Sequence, residues 1–125
     1  MNIPNKLNYT EDHEWIKIEG RYGIVGITDF AQQELGDIIF VEFLSINKDY
    51  NARETFGTLE AIKTVADLYT PVSAKIMEIN QKVIDNPSLI NSDPYNDGWL
   101  IKLDIKNSDD LKNLLNSQDY KNLIL

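Results

Sequence analysis

Phe56-Gly57-Thr58-Leu59-Glu60-Ala61-Ile62-Lys63-Thr64-Val65-Ala66-Asp67-Leu68-Tyr69-Thr70-Pro71-Val72-Ser73 is the stretch on which the reading of this chain depends. Lys63 stands between two short runs rich in β-branched and apolar residues, which predicts a β-hairpin with the ammonium at or beside its tip. Glu60, three residues earlier, and Asp67, four later, then flank the stem of that tip. One primary amine is held in open water between two carboxylates, a shape that an enzyme can find. In most proteins an exposed lysine is only a solvated charge. Residue type and position therefore do not by themselves separate a modification site from ordinary surface.

On the N-terminal side, residues 8–27 read as two strands around the turn Glu19-Gly20-Arg21, with Trp15, Ile16 and Ile18 on the first and Ile24, Val25 and Ile27 on the second. His13 is the only histidine, between Asp12 and Glu14. Strand alternation sends adjacent side chains to opposite faces, so the three are not expected to converge on a metal, and a hydrogen-bonded structural histidine is the better reading. Thr28 or Asp29 caps a short helix bearing Phe30, Ala31, Glu34 and Leu35, and Gly36 closes it. Residues 37–44 form an apolar run that predicts a strand buried on both faces for part of its length. Residues 45–54 read as a turn in which Asn47 and Asn51 can take the left-handed conformation.

On the C-terminal side, Pro71 removes a ladder donor and ends the hairpin. Residues 72–80 open a strand, and 80–87 read as a loop leading to a short helical turn. Pro94 and Asp97-Gly98 mark turns before a strand with Trp99, Ile101 and Leu103 on one face. The oxygens of Asn91, Asp93, Asn96 and Asp97 invite a calcium reading, but their spacing and the glycine position do not fit an EF-hand loop. Residues 108–125 are predicted to be helical, with Leu111, Leu114 and Leu115 packed on the sheet.

With 125 residues, 42% hydrophobic and 26% charged, the chain has the composition of one soluble domain, and residues 1–125 are read as a single unit. The formal net charge of -8 argues against nucleic acid, which needs a basic patch, and fits equally well basic protein partners or a charge that only maintains solubility. There is no cysteine, so thiol catalysis, zinc ribbons and disulfides are excluded and any sulfur chemistry must be imported. No apolar run approaches a membrane span, and Met1–Lys6 lacks the apolar core of a secretory signal. A cytoplasmic monomer with no membrane contact is expected.

The segment from Glu60 to Ser73 resembles the lipoyl-attachment hairpin of the H protein of the glycine cleavage system. That pattern is Glu-Ser-Val-Lys, then small residues, Asp, an apolar residue and Ser/Thr/Ala-Pro-Val-Ser; Glu60, Lys63, Asp67 and Thr70-Pro71-Val72-Ser73 match it. His13-Glu14-Trp15, Gly26-Ile27-Thr28-Asp29-Phe30-Ala31-Gln32, Leu35-Gly36-Asp37, Asn91-Ser92-Asp93-Pro94-Tyr95 and Gly98-Trp99 extend the resemblance over residues 7–120. It implies a mostly β fold with peripheral helices, a flattened barrel-sandwich hybrid of the lipoyl-domain type ending in a C-terminal helix. It also implies lipoate attached covalently to Lys63, with Glu60 and Asp67 as flanking recognition residues and Glu14 in the cleft that receives the loaded arm. Position 34 is often histidine in relatives, so Glu34 implies a more acidic cleft. Residues 45–54 lack the glycines usual in relatives, and Ala74 stands where glycine is preferred, a strained choice if that position needs a positive φ.

By this resemblance the chain is a carrier and not a catalyst. The lipoyl arm would take an aminomethyl group from glycine decarboxylase (a pyridoxal-phosphate enzyme), present it to a tetrahydrofolate-dependent aminomethyltransferase, and be reoxidised by dihydrolipoyl dehydrogenase, a flavoprotein that uses NAD. A lipoyl ligase or transferase would load it. Other readings are a lipoyl donor in a lipoate relay, a biotinyl carrier (though Ile62 and Thr64 replace the usual methionines), an acyltransferase lipoyl domain, or an unmodified β-rich interaction module.

Overall fold

The computed structural model describes residues 1–125. Nine strands form two sheets: β1 (Asn8–Tyr9), β2 (Glu14–Glu19), β3 (Tyr22–Ile27), β4 (Ile38–Phe43), β5 (Asp49–Tyr50), β6 (Thr55–Ala61), β7 (Val65–Tyr69), β8 (Ala74–Ile79) and β9 (Ile101–Ile105). The larger sheet runs β1-β2-β3-β9-β8-β5 and the smaller β4-β6-β7, every pairing antiparallel. Ile16 and Val25 of the larger sheet share one apolar core with Val41, Leu59 and Leu68 of the smaller, so the two pack as a sandwich. The sheets do not close by hydrogen bonds, and the expected flattened barrel-sandwich is present as two open layers.

Helices sit at the periphery: α1 (Asp29–Leu35), α2 (Gln81–Asp85), α3 (Leu89–Ser92) and α4 (Ser117–Ile124). Thr28 caps α1 by accepting the Ala31 N–H at 3.1 Å, and Gly36 ends it at φ +77°, as the sequence predicts. The β2–β3 turn holds Gly20 at φ +64°. A second cluster of Tyr9, Trp15 and Tyr120 docks α4, with the two tyrosine rings stacked at 4.7 Å.

Several expectations are corrected. Residues 108–125 are not one helix: a 3₁₀ segment over Ser108–Asn113 is followed by an extended Leu114 and by Leu115, which exchanges two 2.8 Å backbone hydrogen bonds with Tyr9 before Asn116 caps α4. Pairing to the sheet edge overrides the leucine periodicity there. Residues 81–85 are helical and not a loop, because the Asn80 side chain accepts the Lys82 N–H and starts α2 at once. In the 45–54 connection Asn47 (φ +58°) and Arg53 (φ +71°) take the left-handed conformation and Asn51 does not; Asp49–Tyr50 also adds a short strand. Ala74 is buried in β8 with an ordinary φ, so the missing glycine costs no strain. Trp99 precedes β9 rather than lying on it. Strand β4 buries only Ile38 and Val41, since a bulge between Ile38 and Phe40 turns both Ile39 and Phe40 outward.

Candidate functional site

Strands β6 and β7 pair as the predicted hairpin, and Ile62-Lys63-Thr64 is its tip, closed by the Ala61 N–H donating to the Thr64 carbonyl at 2.8 Å. Leu59 and Leu68 bury the hairpin's inner face, which anchors the stem and leaves the tip free. Lys63 is exposed and makes no hydrogen bond or ion pair with the protein, so its ammonium is open to an incoming enzyme. Glu60 lies opposite Val65 and Asp67 opposite Thr58. With a period of two, both carboxylates therefore face outward on the same side of the stem.

Beside the hairpin lies a cleft of about 510 Å³ lined by Asp12, His13, Phe30, Ala31, Glu34, Leu35 and Ala66. One wall is apolar and the rim is acidic. Ala66 is three residues from Lys63, roughly 10 Å along a strand. A lysine side chain lengthened by an acyl chain spans that distance. The pattern Thr10-x-Asp12 was the available signal for what shapes the rim. Thr10 Oγ1 accepts the Asp12 and Glu14 N–H groups, His13 takes φ +65°, and the chain turns where an unbroken strand was expected. Asp12 and His13 thereby reach one cleft, a convergence that the strand reading denied them. No metal-holding cluster of His, Cys, Asp or Glu is present, and Asn91 serves structure by accepting the Ile38 N–H at 2.9 Å and donating to the Gly36 carbonyl at 2.8 Å.

Asp12 is neutralised by Arg53, whose Nε and Nη2 meet its two oxygens at 2.8 and 3.1 Å. Glu34, which has no ion pair, is left as the uncompensated carboxylate of the cleft. Burial lowers the His13 pKa, against the opposing pull of Asp12 and Glu34. His13 Nδ1 lies 2.9 Å from Tyr120 Oη, which lies 2.7 Å from Thr28 Oγ1. With Thr28 donating to Tyr120 and Tyr120 donating to a neutral His13, every group in the chain is satisfied, including the Ala31 N–H that Thr28 accepts.

Glu14 does not line the cleft. It is 2% exposed, one residue behind the His13 wall; its Oε2 accepts the Tyr69 N–H at 2.7 Å, and its Oε1 is buried without a partner. Burial raises its pKa well above the carboxylate range and the Asp12 charge adds to this, with the Tyr69 N–H, Arg53 and the nearby Thr10 hydroxyl pulling the other way. While the carboxyl keeps its proton this oxygen lacks a partner for its hydroxyl or carbonyl, and once ionised it is an acceptor in want of a donor.

A two-layer sandwich that carries an unencumbered lysine on a hairpin tip, with a part-apolar, acid-rimmed cleft beside it, is the architecture of a carrier domain of the lipoyl type. The glycine cleavage H-protein family model matches residues 7–125. The glycine cleavage system H protein of Chlorobaculum tepidum is 52% identical over 126 residues, covering 99% of this chain and 98% of that one. The H protein of Carboxydothermus hydrogenoformans is 48% identical over 122 residues, covering 98% and 94%. The crystal structure of an H protein from Mycobacterium marinum superposes with a TM-score of 0.84 at 36% identity, covering 96% of this chain and 97% of that one. The chain belongs to the glycine cleavage H-protein family, and it is a carrier component of that system. No helix is long and apolar enough to cross a membrane.

Proposed function

We propose that residues 1–125 act as one carrier unit whose Lys63 is the lipoylated residue, and that the chain itself catalyses nothing. The observation that carries this reading is the free exposed amine at the tip of a hairpin whose stem is locked into the core. Bound there, lipoate supplies the dithiolane that carries an aminomethyl group and is afterwards reoxidised. Glu60 and Asp67 mark the tip for the loading enzyme. Phe30, Ala31, Leu35 and Ala66 give the arm an apolar wall, and Glu34 gives the cleft a negative rim. Glu14, next in sequence to the cleft residue His13, has an Oε1 with no hydrogen-bond partner, and a cationic load that reached it would favour the carboxylate form.

The partners that follow are glycine decarboxylase, the folate-dependent aminomethyltransferase, dihydrolipoyl dehydrogenase and a lipoyl ligase or transferase, all meeting a monomer in the cytoplasm. Acylation removes one positive charge, taking the formal net charge from -8 to about -9. Treatment with lipoate, ATP and a lipoate ligase, followed by peptide mapping, tests the assignment. Modification is expected at Lys63 alone and is lost in Lys63→Arg, which keeps charge without an acylable amine. Lipoate found on Lys48, Lys75 or Lys82 instead would overturn it.

A further inference from the structure

The outer face of the β4-β6-β7 sheet carries an apolar patch at its Lys63 end, where a solvated sheet face should be polar. Ile39 (52% exposed), Phe40 (51%), Ile62 (67%) and Val65 (61%) stand out from it. They are contiguous: Phe40 lies opposite Glu60 and Glu60 opposite Val65, while Ile39, Ile62 and Val65 line one shallow depression with Lys63. The next row across the same face is Glu42, Thr58 and Asp67. Glu42, Glu60 and Asp67 are all exposed, and none forms an ion pair. The bulge before Phe40 exposes Ile39 as well, which folding alone does not require. Contiguous exposed apolar groups with a charged border mark a docking surface.

We propose that this face docks the enzyme that acylates Lys63, and that the enzyme meets it with an apolar groove rimmed by Lys or Arg side chains. The inference rests on Lys63 being the attachment site. Once loaded, a long arm carries its cargo away from the hairpin, so the enzymes that use the arm need not cover the tip. The loading enzyme must cover it. Lys63 Nζ has to reach the carbonyl carbon of an acyl adenylate, where the new amide C–N bond forms, the C–O bond to phosphate breaks, AMP leaves and the ammonium's protons pass to solvent. An enzyme that brings its activated carbon this close buries Ile62 and the row beside it. The three unpaired carboxylates select a basic rim and make encounter salt-dependent.

The test measures lipoylation of the whole apo protein by an ATP-dependent lipoate ligase at saturating lipoate and ATP. Phe40→Thr/Val65→Thr keeps β-propensity on the solvent face, and Met77→Ser, on the other sheet, is the control. The double variant should raise KM for the carrier about tenfold with kcat nearly unchanged, as loss of a docking anchor does. The control should match the parent, and kcat/KM of the parent should fall with salt, less steeply in Glu42→Gln. An unchanged KM with Lys63 still lipoylated would overturn the docking surface and leave the attachment site standing. Failure to lipoylate the parent at Lys63 would overturn both. Salt-independent kcat/KM would remove the basic rim. A concentration-dependent dimer abolished by the double variant would assign the face to a second copy and overturn the proposal.

Discussion

The Glu14 carboxyl accepts the Tyr69 N–H at 2.7 Å, and through that bond the six-stranded sheet grips the strand that descends from Lys63. Strand β7 is an edge of its sheet, so Glu14 occupies a ladder donor that no strand pairs. The grip comes with a buried ionisable group.

Glu14 holds its proton to a higher pH in the fold than in the unfolded chain. Between the two pKa values the folded state binds more protons, so this residue's contribution to stability falls as pH rises from the ordinary carboxylate value of about 4.3 and levels off above the folded pKa. Glu14→Gln keeps an acceptor for Tyr69 and has nothing to ionise. Relative to the parent it should gain stability as pH is raised from the ordinary carboxylate range towards the folded pKa, and no further above it. Chemical denaturation across that range checks it; a constant difference would mean that Glu14 does not titrate abnormally.

His13 has the opposite sign. Its folded pKa is lowered, so the unfolded chain takes up a proton first, and stability falls as pH drops through about 6.5 until the folded group also titrates. The neutral ring is held by Tyr120, and Tyr120→Phe keeps the stack on Tyr9 while orphaning the Thr28 hydroxyl and His13 Nδ1. The variant should lose about 1–2 kcal/mol near neutral pH, measured by urea denaturation.

The hairpin, the α1 caps and the β2–β3 turn were legible because local chemistry decides them: β-branched runs around Lys63, Thr28 at the N-cap, Gly20 and Gly36 at positive φ. What was not legible depends on partners distant in sequence. Leu114 and Leu115 carry helical spacing, yet Leu115 pairs with Tyr9 more than a hundred residues earlier. Ile39 and Phe40 look like core, yet no element covers their face and a bulge turns them out. Glu34 lines the cleft beside the hairpin, and Asp12 and His13 join it because His13 takes a left-handed conformation that no neighbouring glycine signals in the sequence. Glu14 is placed by burial behind the wall rather than on it.

Gly57 sets how closely β4 and β6 approach. A Cβ there would collide with the backbone carbonyl oxygen of Glu42, which cannot swing aside as a side chain can. Gly57→Ala should therefore cost about 1–3 kcal/mol by forcing the strands apart, despite the β-propensity gained. A midpoint in urea equal to the parent's would show that the sheet yields freely at this point.

Glu34 on the cleft rim and the buried Glu14, next in sequence to the cleft residue His13, should differ in how they shelter a cationic load. Glu34 is exposed, and a single contact to it in high dielectric is weak, about 0–1 kcal/mol. Glu14 is desolvated and its Oε1 has no hydrogen-bond partner, so once the carboxyl has given up its proton a charge-assisted hydrogen bond to it gains about 1.5–3 kcal/mol. That difference is enough to move an arm from mostly free to mostly docked, and a docked arm keeps water from the carbon bonded to both sulfur and nitrogen. Glu14→Gln, which retains the Tyr69 anchor, should leave lipoylation of Lys63 unchanged and speed spontaneous release of ammonia and formaldehyde from the loaded protein by about tenfold or more, the factor that 1.5 kcal/mol represents. Glu34→Gln should change it by less than about fivefold. The measurement is that release from purified loaded protein without the folate enzyme. Equal rates in parent and Glu14→Gln would strip Glu14 of the sheltering role and leave it as the clasp between β2 and β7.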